Sequence, residues 1–154
     1  MKTCQGDILA LATLGHFDVI AHGCNCMCSM GRGLALQIAE QFPQALAVDR
    51  QTFAGDRAKL GTFTMAVCPN ALGGTFHLLN AYTQYHWDEP KGEVMADYAA
   101  IRRCMAAIKT TYAGKRIGLP LIGAGLARGD WPTIQGIIAE ELAGEDVTIV
   151  RYQP

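Results

Sequence analysis

Two stretches of this chain combine glycine with small and polar residues in a way that could hold phosphate. Gly23-Cys-Asn-Cys-Met-Cys-Ser-Met-Gly-Arg-Gly33 follows a short apolar run, Phe17–His22, and Gly123-Ala-Gly-Leu-Ala-Arg-Gly129 follows a second, Lys115–Ile122. A glycine loop between a strand end and a helix start exposes backbone N–H groups and the positive end of the helix dipole, where anions bind well. Two such loops could grip a diphosphate from both sides, although either one taken singly reads equally well as a tight turn. Neither contains the Gly-Lys-Ser/Thr ending of a triphosphate loop. Neither fits the dinucleotide fingerprint, because Leu34, Ala35 and Leu36 follow the first loop's Gly31-Arg-Gly33 and Leu126, Ala127 and Arg128 follow Gly123-Ala-Gly125.

The side chains around these loops offer several chemistries. His22, at a strand end, could exchange a proton near neutral pH or be hydrogen-bonded as part of the framework. Cys24, Cys26 and Cys28 invite a metal reading, but the paired Cys-x-x-Cys spacing of structural zinc sites is missing, and no metal or other cofactor is expected. With Cys4, Cys68 and Cys104 they make six scattered cysteines, expected to be reduced, as in the cytoplasm. Asp130 could bring a carboxylate to the second loop, yet Asp130-Trp-Pro also reads as a helix cap with proline in the first turn, leaving Trp131 to the core. His86, Trp87, Asp88 and Glu89 form a polar and aromatic cluster that could make a rim or lid.

The elements that must position these residues follow from periodicity. Phe17–His22 reads as a buried strand, and Leu34–Phe42 as a helix ended by Pro43. Gly61–Cys68 and Thr75–Thr83 read as an antiparallel hairpin, and Val94–Tyr112 as the surest helix. Lys115–Ile122 is a second buried strand, a helix follows the second loop to about Ala143, and Asp146–Tyr152 closes as a strand. The expected class is α/β, a three-layer α/β/α arrangement around a mixed sheet of about six strands, with residues 1–154 as one domain. No apolar run approaches the ~20 residues of a membrane span, and the N-terminal segment reads as mature sequence. A net charge of −1 gives no general attraction to nucleic acid, so a small phosphorylated ligand is expected and nucleic acid is not. Polyanion binding through Arg57, Lys59 and Lys91 is the alternative, with steep salt dependence as its signature.

Gly6-Asp7-Ile8, His22-Gly-Cys-Asn-Cys, Met30-Gly-Arg-Gly-Leu-Ala, Asn80-Ala-Tyr-Thr83 and Leu119-Pro-Leu-Ile-Gly-Ala-Gly-Leu126 resemble, in order, the motifs of the macrodomain family. They span nearly the whole chain. The pattern looks most like the compact branch that holds the yeast ADP-ribose-1''-phosphate phosphatase and the human terminal ADP-ribose protein glycohydrolase. The resemblance implies an ADP-ribose site in which Asp7 accepts from the adenine amino group, Ile8 flanks the ring and Tyr152 walls it. Asp7 could instead cap the short helix that follows it. Gly31, Arg32, Gly33 and Leu34 would wrap one side of the diphosphate, and Ile122, Gly123, Ala124, Gly125, Leu126 and Ala127 the other, with Tyr82 and Thr83 nearby. His22, Asn25 and, from another angle, Asp130 would act on the distal ribose. The implied activity is hydrolysis of ADP-ribose 1''-phosphate or of an acyl or ADP-ribosyl ester; the alternative is a reader that binds ADP-ribose, or an ADP-ribosylated protein, without turnover. Gln84 and Ala127 stand where the glycohydrolase relative has a catalytic lysine and an aspartate, which disfavours its covalent mechanism.

Overall fold

The computed structural model describes residues 1–88 and 92–153; Glu89 and Lys91, named above, lie outside them. The strands are β1 (Lys2–Gly6), β2 (Val19–Cys24), β3 (Phe63–Pro69), β4 (Thr75–Tyr82), β5 (Arg116–Leu119) and β6 (Asp146–Tyr152). They form one sheet in the order β1-β6-β5-β2-β4-β3, parallel except for the β3–β4 hairpin. Side chains alternate across β2. Val19 and Ala21 enter the core shared with α4 (Tyr98–Tyr112) and α5 (Trp131–Glu141), and Ile20 enters the core shared with α1 (Ile8–Thr13), α2 (Gly33–Gln41) and α3 (Pro43–Arg50). Burial on both faces explains why these strands are apolar runs, and the result is a three-layer α/β/α fold around a six-stranded mixed sheet.

Several boundaries move from their expected places. The strand expected over 17–22 runs over Val19–Cys24, because the parallel ladder pairs His22 with Asn80, Gly23 with Ala81 and Cys24 with Tyr82, drawing the start of the loop into the sheet. Phe17 instead lies under Gly118, where a Cβ would come within 2.7 Å of its ring. The helix expected from Val94 starts at Tyr98, since Asp97 accepts from the Ala100 amide and caps it, while Met95 and Ala96 donate to the Ala127 carbonyl. Helix α3 is unanticipated: Pro43 does not only stop α2 but occupies the first turn of α3, where a missing N–H costs nothing. Strand β1 is likewise not expected from the sequence pattern. Among the described residues no helix is long and apolar enough to cross a membrane.

The topology decides where a ligand can enter. Strands β2 and β5 are neighbours, but the chain leaving β2 builds α2 on one face and the chain leaving β5 builds α5 on the other. Their diverging exits open a crevice beyond the carboxyl ends of the strands, the usual ligand position in an open α/β sheet.

Candidate active site

That crevice is a cavity of about 500 Å³. The first loop lines one wall with Asn25, Ser29 and residues 31–35, and the second lines the other with residues 120–123 and 125–127. Gln84, Trp87 and Met95 also face it. The loops nearly touch at Gly33, whose backbone is left-handed (φ +56°) and whose Cβ, if present, would sit 3.2 Å from Leu126 Cδ1.

Helix capping shows what the cavity attracts. Helices α1, α4 and α5 have their first amides satisfied by the carboxylates of Asp7, Asp97 and Asp130. Helix α2, like α3, has no side-chain cap, and the amides of Gly33, Leu34 and Ala35, residues that line the cavity, have no protein acceptor among the described residues. Across the gap, the amides of Gly125, Leu126 and Ala127 also have no protein acceptor among the described residues. Two banks of such amides in one cavity, one at a helix N-terminus, can make an anion site without a basic surface.

The expected side chains divide by place. His22 lines the cavity at the end of β2 although it is buried, and its ring orientation can be read from its neighbour. Asn80 Nδ2 donates to the Ala45 carbonyl (2.9 Å) and to Thr64 Oγ1 (3.0 Å), so Asn80 Oδ1 faces His22 Nε2 at 2.7 Å and that nitrogen carries the proton. Burial holds the His22 pKa below its ordinary 6.5, against the opposing pull of the Asn80 bond, and the ring is neutral at pH 7. The other nitrogen, Nδ1, is 3.8 Å from Cys24 Sγ. Because the folded pKa is lowered, His22 contributes stability that is full above pH 6.5 and is lost as the pH falls through the lowered folded value. Urea midpoints from pH 7.5 to 5 should therefore fall more steeply for the native protein than for His22→Asn; equal slopes would contradict the buried neutral ring.

Asn25 lines the cavity, but its amide shapes the loop, donating to the Ser29 carbonyl (2.8 Å) and accepting from the Met27 amide (2.9 Å). Asp130 caps α5 through the Thr133 amide and hydroxyl and does not line the cavity. Tyr82 is buried with its hydroxyl on Asp49 Oδ1 (2.7 Å), and Thr83 is fully buried beneath the loop. Ile122 and Gly123 line the cavity, while Ala124 turns away with its amide on the Leu121 carbonyl. Asp7, Ile8 and Tyr152 sit outside the cavity lining but at the same sheet edge: Gly6 pairs with Tyr152 across β1 and β6, and Asp7 and Ile8 come next in the chain. Arg32 and Trp87 form the rim, the guanidinium donating to the Trp87 carbonyl (2.6 Å) and lying 5.5 Å from the indole centroid.

Sequence reasoning missed a buried polar scaffold under the first loop. Lys59 Nζ donates to the Cys26 carbonyl (3.1 Å) and lies over the Tyr82 ring, and Asp49 takes the Tyr82 hydroxyl. Lys59 is therefore not a surface cation, and Arg57 is spread over the Tyr85 ring at 3.7 Å. The three loop cysteines diverge, Cys24 toward His22, Cys26 toward the Gln84 carbonyl and Cys28 toward Asp49 and Thr52. Burial raises the Cys24 and Cys26 thiols and pushes Cys104 up to about 12 and Cys68 up to about 11. Maleimide at pH 7.5 should label Cys4 and Cys28 in the folded protein and the other four cysteines only after unfolding, a pattern peptide mass mapping can check.

No protein-family model matches the chain. It is 34% identical to the uncharacterized 17.5 kDa protein of the tk–vs intergenic region of Enterobacteria phage T4, covering 100% of this chain and 97% of that one. It is 25% identical to the DNA ADP-ribosyl glycohydrolase of Mycobacterium tuberculosis over 97% of the chain, spanning 41% of that relative's length. Among solved structures, a Bacteroides thetaiotaomicron protein of unknown function superposes with a TM-score of 0.75 (25% identity, 98% of this chain, 96% of the other). The macrodomain of Mycobacterium tuberculosis DarG gives 0.73 (20%, 99% and 97%). Thermosipho africanus DarTG in complex with ADP-ribose gives 0.66 (16%, 100% and 42%). The relatives with a stated activity or type are DNA ADP-ribosyl glycohydrolases and DarG macrodomains, so the narrower expectation of the phosphatase branch is replaced by a relation to DarG-type macrodomains. The mycobacterial name also overturns the expectation that nucleic acid is an improbable partner. A small net charge argues against gripping a polyanion along its length, but not against recognising one through an attached ADP-ribose.

Proposed function

The chain is a macrodomain-fold protein, of one family with the phage T4 17.5 kDa protein and related to the DarG-type macrodomains, and from that premise we propose that residues 1–154 form one domain that binds ADP-ribose and hydrolyses its conjugates. The observation that carries this reading is the pair of amide banks on the two walls of the cavity, the uncapped start of α2 and residues 125–127. Going outward along the sheet edge, the adenine lies toward β1 and β6. There Asp7 has its Oδ1 committed to the cap of α1 and its second oxygen left to accept from the amino group, with Ile8 and the exposed Tyr152 beside the ring. In the other direction the distal ribose reaches Asn25 and Gln84, at the exits of β2 and β4.

The chemistry at that end rests on Gln84 more than on His22, whose protonated nitrogen is spent on Asn80. Gln84 lines the cavity, and its Nε2 donates to the His86 carbonyl (2.8 Å), which fixes the amide, while Oε1 has no hydrogen-bond partner among the described residues. An amide cannot attack C1'', but its oxygen can orient a water or a ribose hydroxyl for a direct displacement. The named activity of the mycobacterial relatives favours ADP-ribose joined to DNA as the conjugate, ahead of the 1''-phosphate and acyl esters. A reader without turnover is the second reading, favoured by the absence of a lysine at position 84. Six free thiols suit a reducing compartment such as the cytoplasm.

Calorimetry with ADP-ribose is the test. Micromolar binding is expected, weakened about tenfold in Asp7→Ala, where a hydrogen bond worth ~1 kcal/mol or more is lost. AMP and ADP should bind more weakly. No binding near millimolar ligand would overturn the reading. If turnover occurs, Gln84→Ala should slow release of ADP-ribose by roughly tenfold to a hundredfold with the Kd for ADP-ribose held within threefold; absence of turnover in the native protein would leave the reader.

A further inference from the structure

We propose that a recess beside the main cavity, built from Trp87, Arg32, Arg128 and Asp88, is a nucleotide subsite that holds the base and flanking phosphate of the group attached to the distal ribose. This inference rests on the ADP-ribose reading above. The recess has a volume of about 170 Å³ and is continuous with the main cavity, sharing Arg32, Trp87, Met95, Gly125 and Leu126 with it. It lies on the rim where the two loops meet Trp87, and Trp87 lines the main cavity together with Gln84, which the reading above sets at the distal ribose, so a group attached to that ribose can leave the cavity past it.

The chemistry of the recess selects a nucleotide. Trp87 is 39% exposed, one of few large aromatics left in solvent, and its indole is held by the His86 ring stacked at 5.4 Å and by Arg32. The part of the indole left in solvent lines the recess, where a flat ring can pack against it. Arg32 and Arg128 each spend one guanidinium nitrogen on a backbone carbonyl, of Trp87 and of Glu93, and among the described residues their other N–H donors have no acceptor, which leaves them for a phosphate. Asp88 places a carboxylate among them, which a bare phosphate would avoid and the amino group of a base would meet. Arg128 also holds a left-handed backbone (φ +60°), a conformation that non-glycine residues adopt at a cost and that here directs its side chain to the recess.

The test compares two ligands by stopped-flow anisotropy within the first turnover: ADP-ribose, and a single-stranded DNA pentanucleotide carrying ADP-ribose on its central base. In Trp87→Ala the affinity for the pentanucleotide relative to ADP-ribose should drop about tenfold, as expected for one base–aromatic stack, and Trp87→Phe should restore it to within threefold. In Arg128→Ala the salt dependence of pentanucleotide binding should become shallower by about 0.7 in log–log slope, the value of one phosphate contact on a single strand. An unchanged ratio in Trp87→Ala, or an equal loss for both ligands, would overturn the subsite while leaving the ADP-ribose cleft standing. Native protein that binds neither ligand would overturn both readings together.

Discussion

Gly125→Glu is expected to lower ADP-ribose affinity by a hundredfold or more without unfolding the protein. Gly125 lines the cavity, its backbone is not left-handed, and a Cβ built on it meets nothing within 4 Å, so the fold has room for a side chain there. The glutamate would bring a negative charge to the bank of amides proposed to hold the diphosphate. Two like charges ~4 Å apart repel by about 4 kcal/mol at an effective dielectric of ~20, which corresponds to roughly a thousandfold. Part of that is recovered by the side chain swinging toward solvent, hence the lower figure. Gly125→Gln has nearly the same size and no charge, and its loss should stay within about tenfold. Calorimetry on the two variants, with thermal midpoints within about 2 °C of the native protein, is the check. Equal losses in Glu and Gln would mean that volume rather than charge decides, and that the anion lies elsewhere.

The parts of this site built from glycine are legible in the sequence, and those built from buried polar groups are not. Glycine carries its reason with it: Gly33 holds φ +56° where the two loops meet, and Gly123 holds φ +76° with isoleucine methyls 3.1 Å from where its Cβ would be. The alternation of apolar and helical segments likewise places both strand–loop–helix units, because periodicity is local. Lys59 and Asn80 give no such signal. Lys59 finds its acceptor at Cys26 and Asn80 finds its own at Ala45, contacts that exist only after the chain has closed. His22 is the instructive case, since its neighbourhood to the glycine loop is legible but its facing is not. Only the β2–β4 register, which sets His22 beside Asn80, shows that the protonated nitrogen turns to the framework. Net charge misleads for a related reason: it measures the grip on a polymer as a whole and says nothing of a polymer recognised through one small appended group.

Asn80→Ala should be the most destabilising single change near the site, by about 3 kcal/mol or more. Asn80 is wholly buried and bridges three elements, accepting from His22 on β2 and donating to Ala45 on α3 and Thr64 on β3. Its removal strands the buried His22 Nε2–H, costing ~1–3 kcal/mol, and loses the bonds to the Ala45 carbonyl and the Thr64 hydroxyl, worth ~0.5–1.5 kcal/mol each. That is a large fraction of the ~5–15 kcal/mol that holds an ordinary domain together. Urea denaturation at pH 7.5 would measure it, and a cycle with His22→Ala should show coupling of about 1–2 kcal/mol, because with the imidazole gone Asn80→Ala leaves no buried donor stranded. The same variant separates framework from chemistry. If His22 serves only to brace β2 against α3, then any hydrolysis observed well below the unfolding temperature should keep its pH–rate profile when Asn80 is removed. If His22 carries a proton in the reaction, losing the bond that now occupies Nε2 must shift that profile, and the role of Gln84 would have to be shared with it.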